Sequence, residues 1–142
     1  MTKRNATATM ARVTGIGGFF FRALDPEALN RWYGEHLGVV MLASRSYEDP
    51  GWFQERGETV FAAVAPDSNA LGPAARTWKI NFRVNDLDGI VERLRSTGVA
   101  VEPHEQSYPN GRFAELEDPE GNQIQLWEPN PASIARDTGL AP

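Results

Sequence analysis

The chain has no cysteine and only two histidines. The first absence excludes disulfides, thiolate metal sites and a cysteine nucleophile. The second leaves His36, near the end of a helical stretch, and His104, just after Pro103. Two histidines so placed cannot assemble the two-His, one-carboxylate triad of non-haem iron oxygenases. No apolar run approaches the roughly 20 residues that span a membrane. Dense basic runs are missing too, and a net charge of −5 argues against a nucleic-acid surface. The opening MTKRNATATMARV carries basic residues without the apolar centre of a signal peptide, so a cytoplasmic location is expected. No Ser-His-Asp arrangement stands out, and the GIGG at 15–18 follows no strand-to-helix turn of the dinucleotide-binding kind.

What is present is ordinary in amount and informative in order. At 142 residues, with 41% hydrophobic and 23% charged residues, the chain fits one compact domain or two half-size modules sharing a core. Its second half repeats its first. Phe21, Arg22 and Asp25 recur as Phe82, Arg83 and Asp86 at an offset of 61, and Gly38-Val39 recurs as Gly98-Val99 one residue out of step. A repeat of this size suits two copies of one supersecondary module, and two facing modules make a cleft.

Each copy reads as strand, helix, glycine stop and further strands. Thr14 to Ala23 is the first strand. Asp25-Pro26-Glu27 then starts a helix with an N-cap, a proline at the first helical position and an acid in the first turn. Leu29, Trp32, Tyr33 and Leu37 fall at helical spacing, and Gly38 closes the helix. Val39 to Ser46, Trp52 to Glu55 and Thr59 to Ala65 read as strands, divided at Asp49-Pro50-Gly51 and Arg56-Gly57-Glu58. A linker rich in Pro, Gly, Asn, Asp and Ser spans 66–76. Beyond it Trp78 to Val84 is a strand, and Asp86 caps a helix carrying Leu87, Ile90, Val91 and Leu94. Strands follow at Val99 to Pro103, Arg112 to Glu117 and Asn122 to Glu128, the last two joined by the turn Asp118-Pro119-Glu120-Gly121. The predicted domain covers 13–129, with module one at 13–65, module two at 77–129, and flexible tails at 1–12 and 130–142.

Three segments carry a family resemblance: DPEALNRWYGEHLGV from Asp25, VNDLDGIVERLRSTGV from Val84, and GRFAELEDPEGNQIQLWEP from Gly111. The chain resembles the vicinal oxygen chelate superfamily, which includes glyoxalase I, bleomycin-resistance proteins and extradiol dioxygenases. The resemblance implies an α+β fold of two βαβββ modules, related by pseudo-two-fold symmetry and curved into a half-open barrel around a cleft. It does not imply one reaction. In metal-dependent members, it also implies ligands in the opening and closing strands of both modules. Here those positions correspond to Gly18, Lys79 and Gln125, and Thr59 to Ala65 offers no His or carboxylate. A bare backbone, a cation and one neutral amide point to a protein with no metal and no cofactor.

Strand alternation then sorts the faces. Ile80, Phe82 and Val84 turn to the helices, leaving Lys79, Asn81 and Arg83 on the concave side. Ile124 and Leu126 likewise leave Gln123, Gln125 and Trp127 there. The first strand adds Gly18, Phe20 and Arg22, and Glu115 joins from the strand before the hairpin. One-sided sheets always show a polar outer face, so the alternation by itself is also what a solvated sheet shows. Arg22 and Arg83 suit either an anionic ligand or a neighbouring carboxylate. The expected ligand site is Phe20, Lys79, Asn81 and Gln125, with Trp127 or Trp52 at the edge. The expected function is binding of a small polar or aromatic molecule. The alternative is a lyase or isomerase of the same superfamily using Lys79 or Glu115 as acid or base. The apolar, aromatic strand ends around Trp52 and Phe53 lead us to expect a homodimer.

Overall fold

A computed structural model describes residues 10–40 and 51–131. The first helix, α1 (Pro26–Leu37), forms where its end signals place it. The Asp25 carboxylate accepts from the Ala28 N–H at 3.2 Å, and Pro26 opens the first turn. At the other end Gly38 sits in the left-handed region, at a φ of 69°. There its N–H reaches the Gly34 carbonyl and that of Val39 reaches Tyr33, at 3.2 and 3.1 Å, satisfying the last turn.

The second half supplies β1 (Ile80–Arg83), α2 (Leu87–Ser96), β2 (Val101–Pro103), β3 (Gly111–Glu117) and β4 (Gln123–Pro129). Asp86 caps α2 by accepting from the Gly89 N–H at 3.0 Å. Glu128 reaches back from β4 to the Leu87 N–H at 2.8 Å, so helix and sheet are joined at the helix start. The four strands form one open sheet in the order β1-β4-β3-β2. β1 runs parallel to β4, while β3 is antiparallel to both β4 and β2. The fold is α+β.

One face of this sheet carries the core. Leu87, Val91 and Leu94 of α2 meet Val101, Ala114, Leu116, Ile124 and Leu126, and Leu29 and Tyr33 of α1 join the same cluster. The two halves are tied at the β3–β4 turn. There the Tyr33 hydroxyl donates to the Asp118 carboxylate at 2.8 Å, both side chains being buried. Burial first, then this hydrogen bond to a carboxylate, pushes the Tyr33 hydroxyl far above its ordinary pKa and keeps it a donor. Glu120 in the same turn accepts from the Leu24 and Asp25 N–H groups, at 2.8 and 3.0 Å, just before α1.

The second half matches expectation to within one or two residues at each strand end. The first half differs. Among its described residues only α1 is regular, and the stretches expected as strands at Thr14 to Ala23, Trp52 to Glu55 and Thr59 to Ala65 make no ladder. Two physical reasons are visible. Gly15, Gly17 and Gly18 weaken the first stretch as a strand. Around the Arg56-Gly57-Glu58 break, the carbonyls of Glu55 and Glu58 accept from the Arg83 guanidinium instead of from a neighbouring strand. Most of the strand expected over Val39 to Ser46, and most of both tails, lie outside the described residues.

Candidate functional site

The face of the sheet turned away from the helices is polar, and register decides which side chains share it. Asn81, Gln125, Glu115 and Glu102 stand opposite one another across β1, β4, β3 and β2. One step along, Arg83, Trp127 and Phe113 form a second row. The backbone N–H of His104 donates to the Phe113 carbonyl at 2.9 Å, which continues β2 by one residue and brings the His104 ring to this face.

At the centre is the Glu115 carboxylate. Lys79 Nζ lies 2.9 Å from one of its oxygens, and Gln125 Nε2 and His104 Nε2 lie 2.7 and 2.8 Å from the other. Partial burial alone would raise the Glu115 pKa. Hydrogen bonds from Gln125, Lys79 and His104, with the Lys79 charge, outweigh it and hold the carboxyl below the usual carboxylate range. An ionised Glu115 takes only donors, which fixes the rest. Gln125 must present its amide nitrogen to Glu115, so its oxygen is free to accept from Asn81 Nδ2 at 2.7 Å. Lys79 also donates to the Ala70 carbonyl at 2.8 Å.

Beside this network lies an aromatic shelf. The Phe113 and Trp127 rings stack at 6.3 Å with 6° between their planes. Tyr108 and His104 stand against Phe113, with centroids at 5.6 and 5.8 Å. Gly111 makes the close packing possible. It is buried at a φ of 135°, and a Cβ there would strike the Glu128 carbonyl and come within 2.8 Å of the Trp127 indole nitrogen.

Of the residues chosen from sequence, Lys79, Asn81 and Gln125 come together around Glu115. Trp127 lies on the same face but is only 3% exposed, its indole N–H donating to the Asn110 carbonyl at 2.8 Å. Phe20 is 92% exposed, on the other side of its segment from Phe21, which packs with the core. Trp52 sets its ring 6.1 Å from Phe82, a residue of the helix-facing side. Arg83 donates to the main-chain carbonyls of Glu58 and Glu55 rather than to a neighbouring carboxylate among the described residues. Sequence reasoning passed over His104, Tyr108 and Phe113. Extending the β2 alternation from Glu102 by two residues would have found His104.

The residues at the superfamily's metal positions do not fit a divalent ion. Gly18 offers no side chain, and the Lys79 ammonium is itself the cation paired with Glu115. Among the described residues, no three His, Cys, Asp or Glu side chains are placed to hold a metal ion. No helix among them is long and apolar enough to cross a membrane.

A family model described as a glyoxalase-like domain matches residues 18–127. The chain belongs to the glyoxalase-like family. That family falls within the vicinal oxygen chelate superfamily, as the three motif segments implied. Anthracycline biosynthesis protein DnrV of Streptomyces peucetius is 30% identical over 111 residues, which are 75% of this chain. The chain spans 39% of the length of that curated relative. The crystal structure of TnmS3, an antibiotic-binding protein from Streptomyces sp. CB03234, superposes with a TM-score of 0.57 at 22% identity, over 84% of this chain and 99% of that one. A glyoxylase/bleomycin resistance protein/dioxygenase domain from Frankia sp. EAN1pec gives a TM-score of 0.52 at 17% identity, over 84% of this chain and 100% of that one. These two likenesses show the glyoxalase-like fold.

Proposed function

We propose that this glyoxalase-like protein binds a small polar or aromatic molecule bearing carbonyl or anionic oxygens on the concave face of its sheet, without a metal. The observation that carries this reading is the set of donors that the Glu115 network leaves unspent. Lys79 has three N–H groups and uses two of them; Asn81 and Gln125 each have two and use one, among the described residues. Three N–H donors beside the half-buried rings of Phe113 and Tyr108 suit a flat molecule rich in acceptors. DnrV, an anthracycline biosynthesis protein, and TnmS3, an antibiotic-binding protein, lend weight to such a ligand.

Catalysis by Lys79 or Glu115 as acid or base is the second reading. Each would have to leave an ion pair of 2.9 Å, so the arrangement favours holding a ligand over proton transfer by these two groups. The same proposal takes the first half as a second βαβββ module related to the other by a pseudo-two-fold axis, on the strength of the 61-residue offset. It takes the protein to be cytoplasmic. It also takes it to be a homodimer in which a second copy covers Trp52 and Phe53, which are 42% and 85% exposed. The first test is a thermal-shift screen of aromatic ketones, carboxylates and quinones, with and without chelator. A hit unaffected by chelator should then bind Asn81→Leu and Gln125→Leu more weakly, by about 1 kcal/mol for each lost hydrogen bond. Unchanged affinity in both variants would sink the proposed site.

A further inference from the structure

The Glu115 network has an end that ligand holding does not require. His104 touches Glu115 through Nε2 at 2.8 Å and faces the Tyr108 hydroxyl through Nδ1 at 3.1 Å. The tautomer is assigned by its partners. An ionised carboxylate accepts only, so Nε2 carries the proton. In the neutral imidazole Nδ1 is then an acceptor, and the Tyr108 hydroxyl donates to it. The result is a directed chain, tyrosine to histidine to carboxylate. Gln125 and Lys79 fix the Glu115 end, and Tyr108 forms the open end beside Phe113. Among the described residues no donor reaches the Tyr108 oxygen apart from its contact with His104, while the His104 and Glu115 side chains are only 28% and 31% exposed.

We propose that Tyr108, His104 and Glu115 form a proton-accepting relay, and that the site takes a ligand with a weakly acidic hydroxyl, a phenol or enol, and binds it as its oxyanion. This rests on the concave face being the ligand site. The step needs no co-reactant. The ligand O–H bond breaks and its proton passes to the Tyr108 oxygen, while the Tyr108 proton passes to Nδ1 of His104. One proton has moved from ligand to imidazole. The imidazolium is held against Glu115, and the oxyanion accepts from the re-formed Tyr108 hydroxyl. Tyr108 is the group that touches the ligand, and His104 acts through it.

The test uses the whole protein and para-nitrophenol, whose neutral and ionised forms differ in absorbance. Binding is followed by quenching of tryptophan fluorescence, and ionisation by absorbance. At a pH where the free probe is mostly neutral, the bound probe should show about a tenfold higher ratio of phenolate to phenol than free probe, the size of one pKa unit. Tyr108→Phe, which keeps the ring, and His104→Gln should both still bind the probe and leave it neutral. Binding of the neutral phenol to the parent protein would overturn the relay and leave the ligand site standing. Failure of the parent to bind the probe, while the thermal-shift screen yields a ligand without an acidic hydroxyl, would overturn the ligand class and again spare the site. Ionisation that persists in Tyr108→Phe would overturn the role of Tyr108.

Discussion

The two halves of the chain carry the same local signals and use them differently. Both have an aspartate cap, an amphipathic helix and a glycine stop, and both have alternating stretches beyond. In the second half these stretches close into a four-stranded sheet around Ile124 and Leu126, both fully buried. Among the described residues of the first half no stretch joins a ladder, and Phe20, Phe53 and Phe61 are 92%, 85% and 90% exposed. The difference lies in the connections. The β3–β4 turn is built on Asp118, whose carboxylate takes the N–H groups of Glu120 and Asn122, the Asn122 amide and the Tyr33 hydroxyl. The corresponding break in the first half has Gly57 between two carbonyls bound to Arg83. Alternation states which face a residue would take; a turn that locks two strands side by side decides whether they pair.

The sharpest test of this contrast is a pair of truncations. Leu126→Ala removes a side chain with no exposure at the middle of β4 and should cost about 2–5 kcal/mol in urea unfolding. Phe61→Ala removes a larger side chain, but an exposed one, and should fall within about 0.5 kcal/mol of the parent. Comparable losses in the two variants would mean that the first half contributes a core of its own.

A second effect, of comparable size, should come from the tether between the halves. Asp118→Ala leaves several buried donors without a partner and should destabilise by about 1–3 kcal/mol for each one that water cannot reach. Tyr33→Phe removes only one hydroxyl and should cost about 1 kcal/mol. Because the two groups touch, the double variant should be less destabilised than the sum of the singles, by about 0.5 kcal/mol or more. Strict additivity would mean that α1 docks through Leu29 and its apolar neighbours alone.

These particulars also show how much the sequence disclosed. Both helices were legible, because the cap aspartates, Pro26 and Gly38 act within one turn of chain. The core face and the shared face of Lys79, Asn81 and Gln125 were legible too, since alternation is local and a parallel or antiparallel partner preserves it. Burial of Trp127 was not, because it depends on Gly111 allowing the neighbouring strand and the Asn110 carbonyl to close over the ring. Nor was the partner of His104, although alternation from Glu102 reaches its position on the face. Its value comes from Glu115, 11 residues away in sequence and brought 2.8 Å from it by the β2–β3 pairing. The unpaired first-half stretches were beyond reach for the same reason, since Arg83 and the carbonyls of Glu55 and Glu58 meet only across the fold.

The smallest expected change in fold stability comes from the exposed aromatic end of the first half, and it tests what that end is for. Phe53 is 85% exposed, so Phe53→Ser loses almost no burial within one chain, and unfolding at high dilution should be unchanged to within about 0.5 kcal/mol. If a second copy covers this surface, the cost falls on association instead. Light scattering of the parent at micromolar concentration should give twice the 15.7 kDa chain mass, and the variant should move towards that chain mass at the same concentration. A parent already at 15.7 kDa would overturn the dimer. A variant that stays dimeric would place the contact away from Phe53, leaving the ring as an exposed apolar group of the kind single proteins commonly carry.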